Sequence, residues 1–396
     1  MTTKPHILIV GAGIGGLTAA LALMRRGFTV DVFDQAPALT ELGAGIQIAA
    51  NGSKVLRELG LGETLAKVGV EANIIDLRLW NTGERWKMME HGAKTLERYG
   101  SPHYTMHRAD LQEALRSAVS RENPACLHLD ARCTGFTQTA KGVTLSFANG
   151  ERVTGDAVVG ADGIHSVVRQ TLFGEDKPEF TGFMAWRGLA PAATLPAHLM
   201  RHGGWIAPAS HIIHYPVRGR QMLNIIAVVE RSDWLKESWH DRGTHEEWLN
   251  DFAGWHEDAR AMIASVEQPF KWALMVRWPL PRWSVGNATL LGDACHSTLP
   301  FLAQGASMSI EDGYILARCL DEFGDIETAL KRYESARIER TRRIVLAAVE
   351  QKDRLHGDSL KNPDTAKAHV DAKWNAERNQ QLYDGIYGYN ALTVAI

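Results

Sequence analysis

The feature that most constrains the fold is a glycine-rich turn near the beginning of the chain. Residues 6–10 are a short β-branched run that predicts a strand, and residues 11–16 follow with four glycines. Residues 17–26 then have the apolar spacing of a helix, and residues 28–33 predict a second strand. This order predicts a βαβ unit in which the glycine turn joins the first strand to the helix.

Each glycine of this turn has a physical reason. Gly11 permits the tight turn, Gly13 lets the backbone approach a pyrophosphate, and Gly16 lets the helix pack closely on the sheet. The helix N-terminus, which includes Gly15, supplies N–H donors and a positive dipole. Asp34, at the end of the second strand, would accept hydrogen bonds from a ribose diol. The pattern predicts a dinucleotide site without separating NAD from FAD; the alternative is a glycine turn that binds nothing.

A second strand–turn–helix lies far along the chain, at residues 292–312. An apolar run at residues 288–291 predicts a strand that ends in Gly292-Asp293, and a helix is expected to begin at Gly305. Ligands of open α/β sheets bind at the carboxyl ends of the strands, where Asp293 lies. Both glycine-rich segments therefore suit one long anionic cofactor.

Composition excludes several classes of protein. The 396 residues carry a net charge of −3, so no basic field attracts nucleic acid or a membrane surface. No apolar run approaches the roughly 18–20 residues that span a bilayer, and the first residues lack a signal-peptide layout. The four cysteines form no CxxC pair, which indicates neither a disulfide framework nor a metal site. We expect a cytoplasmic protein.

Three separated motifs together resemble the single-component, FAD-dependent aromatic hydroxylases. They are residues 11–16, GADGIHSVVR at 160–169, and residues 292–312; lesser matches are 42–48 and 106–111. That family includes salicylate hydroxylase, 3-hydroxybenzoate 6-hydroxylase and 6-hydroxynicotinate 3-monooxygenase, and the resemblance covers essentially the whole chain. It implies FAD as cofactor and NADH or NADPH as a transient co-substrate. No second GxGxxG follows a strand, so the nicotinamide nucleotide has no Rossmann site of its own.

The resemblance also implies the architecture, an α/β fold with a Rossmann-type FAD-binding domain, an inserted sheet-containing substrate domain and a C-terminal helical region. Nine of the twelve tryptophans fall between Trp186 and Trp283, where strand-like runs recur, and this change of character supports the insertion. The expected boundaries are 1–75, 100–180 and 281–340 for the FAD-binding domain, 76–99 and 181–280 for the substrate domain, and 341–396 for the helical region.

Further cofactor contacts follow from the family motifs. Asp293 would accept hydrogen bonds from the ribityl chain, and the helix beginning at Gly305-Ala306 would direct N–H groups at the flavin pyrimidine edge. Arg108 would lie beside the cofactor, and Asp162-Gly163 would touch both the cofactor and the nicotinamide region. The alternatives are a turn or N-cap role for Asp293, a purely structural turn role for Asp162-Gly163, and a surface salt bridge for the arginine. The predicted cofactor-binding residues are Gly11, Gly13, Gly15, Gly16, Asp34, Gly45, Arg108, Asp162, Asp293, Gly305 and Ala306.

The implied reaction is hydroxylation of a small phenolic or hydroxy-heteroaromatic carboxylate by O₂, through a flavin C4a-hydroperoxide. The protein must favour the phenolate and exclude water. In residues 210–216, alternation puts His211 and Tyr215 on one face and His214 on the other. His211 and Tyr215 match a functional His and Tyr of the family. His211 is therefore the candidate proton acceptor or orienter of the substrate hydroxyl, and Tyr215 is a candidate hydrogen-bond partner. The alternative is a His and Tyr satisfied within the sheet.

The remaining predicted substrate contacts depart from the named enzymes. Gln47 and Phe301 stand where the hydroxynicotinate enzyme has histidines, and Pro300 stands where the 3-hydroxybenzoate enzyme has a glutamine. The substrate is therefore left open among salicylate-, hydroxybenzoate- and hydroxynicotinate-like acids. A reductase or halogenase of the same superfamily and a non-catalytic flavin sensor are the alternative functions, although the halogenase motif WxWxIP is missing. A homodimer is one open oligomeric state.

Overall fold

The computed structural model describes residues 4–39, 45–72, 74–90, 92–231 and 241–396. The strands in chain order are β1 His6–Val10, β2 Thr29–Phe33, β3 Gly45–Ile48, β4 Val70–Glu71, β5 Ile74–Leu79, β6 Arg85–Glu90, β7 Tyr104–His107, β8 Leu127–His128, β9 Cys133–Thr139, β10 Gly142–Phe147, β11 Arg152–Gly155, β12 Ala157–Gly160, β13 Glu179–Pro191, β14 Gly203–Ala207, β15 Ser210–Val217, β16 Met222–Glu230, β17 Phe270–Val276 and β18 Ala288–Leu290.

The helices are α1 Ile14–Met24, α2 Ala50–Leu56, α3 Gly62–Val68, α4 Ala93–Tyr99, α5 Arg108–Glu122, α6 Val167–Phe173, α7 His245–Asp251, α8 Glu257–Ala264, α9 Asp293–His296, α10 Gly305–Glu322, α11 Ile326–Glu350, α12 Lys352–Leu355, α13 Pro363–Lys373 and α14 Ala376–Tyr387. A π-helical turn at Arg57–Leu61 joins α2 to α3, and a 3₁₀ turn at Pro300–Leu302 precedes α10. None of the helices in these ranges is both long and apolar enough to cross a membrane.

Five strands form a parallel sheet in the order β18–β12–β1–β2–β8. β1 lies in its middle with Ile7, Leu8 and Ile9 fully buried, as expected of a strand covered on both faces. β1, α1 and β2 follow one another as predicted. Because neighbouring strands are parallel, β1, β12 and β18 all end at the same edge of the sheet. The turns that follow them are therefore close together in space.

Seven strands form a second sheet in the order β17–β13–β16–β15–β14–β5–β6, antiparallel except where β14 meets β5. Its outer face is covered by α7 and α8, and Trp186 stacks on Trp248 there at a ring distance of 5.4 Å. Burial of these rings explains the tryptophan-rich sequence. The sheet joins strands from residues 74–90 and 179–276, while the predicted domain boundaries stay a prediction. Two three-stranded sheets, β3–β7–β4 and β11–β10–β9, complete the mixed α/β fold.

The sequence pattern failed at several element boundaries. Residues 143–147 and 152–159 alternate like a hairpin around Asn149-Gly150, which predicts one strand over 152–159; instead β11 pairs with β10 while β12 joins the parallel sheet. The chain changes sheets at Asp156, whose carboxylate accepts a 2.6 Å hydrogen bond from the N–H of His6. The pattern of residues 110–121 predicts a helix that begins in an Asp110 cap, but α5 begins at Arg108. The tryptophan-rich residues 234–252 predict a helical piece; part of it, and residues 42–44 of a lesser motif, lie outside the described residues.

The C-terminal region is helical, as predicted, and it packs back on the rest of the chain. α11 lies against α10. Arg340 of α11 ties α14 to these helices, and Arg318 of α10 ties the segment after α14. Arg318 donates to the carbonyls of Ala391 and Val394, both at 2.9 Å, and Arg340 donates to the carbonyls of Gly385 and Ile386 at 3.0 and 2.9 Å. These contacts hold α14 and the residues after it against α10 and α11.

Candidate active site

A cavity of about 460 Å³ extends from the carboxyl edge of the parallel sheet to the inner face of the seven-stranded sheet. At one end it is lined by the start of α1, the loop after β18 and the start of α10. At the other end it is lined by β15, including His211, Ile213 and Tyr215. The two halves that the sequence predicted separately thus border one continuous space.

At the start of α1, one glycine is packed tightly against the backbone and another faces open space in the cavity. A Cβ added at Gly16 would lie 2.0 Å from the carbonyl oxygen of Gly11, so the helix can sit this close to β1 only with glycine there. A Cβ added at Gly13 would meet nothing within 4 Å, and Gly13 lines the cavity. No side chain caps this helix, and its first turn has no acidic residue. Its N–H groups therefore suit an anion.

The second glycine-rich segment presents a carboxylate and another helix end. Asp293 follows β18, is exposed, lines the cavity and has no hydrogen-bond partner among the described residues. Gly305 and Ala306 are the first residues of α10, and the N-cap Gln304 makes no capping hydrogen bond through its side chain. This end of the cavity offers an acceptor for hydroxyl groups and N–H donors for an electron-rich ring edge.

The other predicted cofactor residues occupy different positions. Arg108 begins α5 and lines the cavity. Asp34 accepts hydrogen bonds from the N–H groups of Ala12 at 2.7 Å and Ala36 at 2.9 Å, which braces the glycine turn. Asp162 accepts from the N–H groups of Val167 at 2.7 Å and Val168 at 3.2 Å, so its carboxylate holds the start of α6. The sequence left a structural turn role open for Asp162 but did not predict this capping of α6; its neighbours Ala161 and Gly163 line the cavity.

His211 is fixed by a partner that the sequence did not indicate. It lies on β15, is 2% exposed and lines the cavity, and its Nδ1 is 2.6 Å from Nε2 of His356. His356 follows α12, and its Nδ1 is 3.2 Å from Oε1 of Glu230 at the end of β16. Burial, followed by the neighbouring His356, holds the pKa of His211 well below its ordinary value. Burial lowers the pKa of His356 to about 4, although Glu230 opposes the shift.

Tyr215 lies on the same face of β15, four residues after His211. It is 2% exposed, lines the cavity, and burial raises the pKa of its hydroxyl above the ordinary value. A Cβ added at Gly45 would lie 2.6 Å from Cε2 of Tyr215, so β3 crosses directly against this ring. The N–H of Gly45 donates to Oδ1 of Asn224 at 2.7 Å. Gly45, which also lines the cavity, is therefore needed for this close approach.

The three predicted residues that depart from the named enzymes also line the cavity. Gln47 is joined to His103, with its Oε1 at 3.2 Å from Nε2. Phe301 follows Pro300 and packs edge-on against His211 at a ring distance of 5.2 Å and against His356 at 6.2 Å. A phenylalanine here forms an apolar wall over the paired imidazoles.

Sequence reasoning missed the contribution of the C-terminal helices. Several of their side chains line the cavity opposite β15: Gln351, Leu355, Trp374, Asn379, Tyr383 and Tyr387. Tyr387 contacts His103 edge-on at a ring distance of 5.8 Å, and Tyr383 stacks on Tyr387 at 5.1 Å. No motif marked these residues, because the helices meet the cavity only through the tertiary fold.

The two acids at the end of the second segment, Glu311 and Asp312, belong to a buried charge network. Arg337 on α11 is fully buried between Glu311 and Asp312 of α10, at 2.7 Å from each carboxylate. Asp312 also contacts Nε2 of His296 at 2.5 Å and accepts from the N–H of Gly292 at 3.1 Å. Burial by itself raises the pKa of Glu311 and Asp312, but the surrounding Arg337, Arg340 and His296 outweigh it and lower both. His296 is thus part of the scaffold behind the loop.

The donor and acceptor set fits FAD. The open space beside Gly13 lies at an uncapped helix end, as a pyrophosphate requires. The carboxylate of Asp293 can accept hydrogen bonds from a polyol, and the uncapped start of α10 can donate to a flavin ring edge. The aromatic and histidine-lined space beyond this point is left for a small ring.

Comparison with known proteins places the chain in a family. Residues 4–348 match the model of the FAD binding domain family. The chain is 36% identical to a 3-amino-4-hydroxybenzoate 2-monooxygenase of Streptomyces platensis over 99% of this chain and 98% of that protein. It is also 36% identical to a 6-hydroxynicotinate 3-monooxygenase of Pseudomonas fluorescens, over 87% and 90% of the two chains.

A solved structure agrees with this placement. HpxO of Klebsiella pneumoniae, complexed with FAD and uric acid, superposes with a TM-score of 0.84 at 27% identity, covering 97% of each chain. The family match spans most of the sequence and the relatives align over nearly their whole lengths. The chain therefore belongs to the FAD binding domain family, among the FAD-dependent aromatic monooxygenases.

Proposed function

We propose that this enzyme uses NADH or NADPH and O₂ to hydroxylate a small phenolic or hydroxy-heteroaromatic carboxylate. The observation that carries the proposal is the continuous cavity, which joins two uncapped helix ends to the buried pair His211 and Tyr215. A site for a long anionic cofactor and a site for an aromatic ring thus share one space. A sensor or simple reductase would not need a buried base beside the ring site.

The flavin end of the cavity is assigned to the parallel sheet, in a Rossmann-type arrangement with the predicted insertion between its strands. Gly13, Gly15 and the start of α1 would hold the pyrophosphate, and Asp293 the ribityl chain. Gly305 and Ala306 would face the pyrimidine edge. When bound, FAD supplies the reduction of O₂ and the transfer of one oxygen atom.

Arg108 and Asp34 have supporting roles in this proposal. Arg108 lines the cavity beside the assigned flavin site and would contact the cofactor directly. Asp34 braces the turn through Ala12 and retains lone pairs for a ribose hydroxyl. Asp162 acts through the backbone that it orders at Ala161 and Gly163.

The protein's own contribution to the chemistry lies at β15. Nδ1 of His211 is taken by His356, so Nε2 is the ring nitrogen left to take the proton of a substrate hydroxyl. A neutral imidazole is the form required of a base, and burial keeps His211 neutral. Burial likewise keeps the Tyr215 hydroxyl protonated, so it donates to the oxygen that acquires charge. Removing the hydroxyl proton in this way gives a phenolate, whose oxygen makes the ring electron-rich.

The walls of the cavity exclude water from this reaction. Phe301, Ile213 and Leu355 are apolar, and the α14 tyrosines close the side opposite β15. A dry site protects a reactive oxygen species from hydrolysis and strengthens the hydrogen bonds to a phenolate. Gln47, Gln351 and Asn379 are neutral amides that would orient the polar substituents of the substrate.

The first substrate to test is 3-amino-4-hydroxybenzoate, because the relatives named for it align over the full chain. A panel should add 3-hydroxybenzoate, salicylate and 6-hydroxynicotinate. For each acid, NADH or NADPH oxidation and hydroxylated product are both measured, since a non-substrate can stimulate oxidation without hydroxylation. We expect a yellow, FAD-containing protein and at least one acid that gives stoichiometric product. A protein that remains colourless with added FAD contradicts the proposal, as does oxidation without product for the whole panel.

The role of His211 is tested with His211→Ala. We expect hydroxylation to fall by roughly 100-fold or more, the usual contribution of a positioned base, while NADH oxidation without an aromatic acid is unchanged. His369→Gln is the matched control, because His369 is also a buried histidine but does not line the cavity and bonds to Ser359 and the carbonyl of Arg354. Equal loss of both activities in His211→Ala would assign His211 to the scaffold.

A further inference from the structure

The partner of His211 belongs to a chain of hydrogen bonds that leads out of the cavity. His211 meets His356 at 2.6 Å, and His356 meets Glu230 at 3.2 Å. His211 is 2% exposed and His356 is 7% exposed, whereas the side chain of Glu230 is 32% exposed. The three groups therefore form a short path from the buried ring site to solvent.

The carboxylate at the outer end sets the tautomers along this path. An ionised Glu230 only accepts hydrogen bonds, so Nδ1 of His356 carries the proton between them. A neutral His356 then has a bare Nε2, which accepts from Nδ1–H of His211. A neutral His211 is consequently bare at Nε2, the nitrogen left for the cavity. Glu230 thus fixes His211 in the form that can accept a proton.

We propose that His356 and Glu230 are positioning residues that make a proton relay behind His211. This inference rests on the proposed function, because it requires a substrate hydroxyl at His211. The substrate O–H bond breaks as a proton bonds to Nε2 of His211, and the Nδ1 proton of His211 passes to Nε2 of His356. The Nδ1 proton of His356 passes to Glu230, which releases it to solvent. Transfer in the reverse direction protonates the product and restores the starting tautomers.

The residues around His356 favour passing a proton onward over holding His356 as a charged imidazolium. Phe183 and Phe301 contact His356 at ring distances of 5.4 and 6.2 Å, so an imidazolium held there would lose most of its hydration. Lys352 faces the outer end of the path, with its Nζ 3.4 Å from Oε2 of Glu230. The relay leaves a phenolate in the cavity without leaving a buried imidazolium beside it.

The relay connects parts of the chain that have no sequence motif in common. Glu230 ends β16, His211 lies on the neighbouring β15, and His356 comes from the helical C-terminal region. Phe301 packs over the two imidazoles from the loop before α10. Phe301, one of the three residues that differ from the named enzymes, is therefore the residue that shields this histidine pair.

The test uses the FAD-loaded protein and 4-hydroxy-3-nitrobenzoate, a nitrophenol whose phenolate is yellow. Absorbance of the bound probe is titrated with pH against protein alone, in wild type and in His356→Gln, Glu230→Gln and His369→Gln. Gln at 356 can still hydrogen-bond to His211 but cannot pass a proton, and Gln at 230 removes the charge while keeping the size. Hydroxylation of 3-amino-4-hydroxybenzoate is measured in parallel, and FAD retention and circular dichroism check folding.

We expect wild type and His369→Gln to bind the probe largely as the phenolate. His356→Gln and Glu230→Gln should raise the apparent pKa of the bound probe by about one unit, which lowers the ratio of phenolate to phenol tenfold at a given pH. Hydroxylation should fall by about tenfold or more without a matching loss of probe affinity. Titration curves that coincide with wild type in both variants would overturn the relay. Should His356→Gln lose its fold, Glu230→Gln decides alone, because its side chain lies at the surface end.

The two proposals fail differently. If wild type binds and hydroxylates an aromatic acid but the relay variants match it, only the relay is wrong. If wild type neither perturbs the probe nor hydroxylates any acid of the panel, the proposed function is wrong and the relay is lost with it. A loss of activity in His369→Gln equal to that in His356→Gln would reduce His356 to a packing role.

Discussion

Two glycines of the first turn, only three residues apart, should respond in opposite ways to the same added methyl group. Gly16→Ala places a Cβ 2.0 Å from the carbonyl oxygen of Gly11, inside any allowed contact. Gly13→Ala places a Cβ in space that holds no protein atom within 4 Å. The first change should damage the fold itself, and the second should affect only what binds beside it.

The expected sizes follow from these contacts. At Gly16 the backbones of α1 and β1 must separate, an overpacking that costs about 3 kcal/mol, and the better helix propensity of alanine returns about 1 kcal/mol. A net loss of about 2 kcal/mol is expected. At Gly13, φ is −72° and ψ is −179°, which alanine adopts freely, so the stability without FAD should change by less than about 0.5 kcal/mol. The intruding methyl group should weaken FAD binding by about tenfold, or ~1.4 kcal/mol.

The assay compares urea unfolding of flavin-free protein with FAD binding measured by flavin fluorescence. Gly16→Ala should shift the unfolding midpoint, whereas Gly13→Ala should keep the midpoint and raise Kd. If Gly13→Ala binds FAD as tightly as wild type, the space beside Gly13 is not the pyrophosphate site. If both variants lose equal stability, the close contact at Gly16 and the open space at Gly13 do not determine the cost of the added methyl group, and the reasoning is refuted.

Three further predictions concern the second segment. Asp293→Ala removes a carboxylate that has no partner among the described residues, so FAD retention on desalting should fall while flavin-free stability is unchanged; full retention would contradict its assigned role. Arg337→Met leaves Glu311 and Asp312 buried without their shared cation, and urea unfolding should show a loss of about 3–5 kcal/mol; a loss below 1 kcal/mol would mean that the network relaxes. The pKa values of both acids are lowered in the fold, so their stabilisation is complete above about pH 5 and is lost as the pH falls below about 4; unfolding midpoints that stay constant from pH 6 to pH 3 would refute this.

The sequence predicted the parts of the molecule that depend on local backbone rules. The strand, glycine turn and helix at residues 6–24 follow from apolar spacing and from glycine conformations, and they formed within a few residues of their expected limits. The start of α10 at Gly305 was predicted at the right residue. The alternation that puts His211 and Tyr215 on one face is likewise a local property of β15.

What could not be predicted depends on which distant segments meet. His356 bonds to His211 across 145 positions of sequence. No sequence pattern around either residue indicates that the two would meet. The same holds for Tyr383 and Tyr387, which look like ordinary positions of an amphipathic helix. Asp162 is a different case. Its motif was recognised in the sequence, but the motif did not indicate that its carboxylate caps α6. Local sequence patterns therefore predicted the residues at the cofactor end of the cavity. The residues that form the walls of the aromatic-ring site depend on tertiary contacts and could not be predicted.

The central place of β1 in the parallel sheet bears on how the chain folds. β1 reaches β18 through β12, so closing this sheet brings together segments separated by most of the sequence. Contacts of such long range form late, because the intervening loop must first lose its freedom. A cofactor bound between the turn after β1 and the loop after β18 would contact two of these distant segments. Because it binds only the folded state, mass action then shifts the folding equilibrium towards that state. Cellular FAD supply would thus influence the survival of the folded protein as well as its turnover.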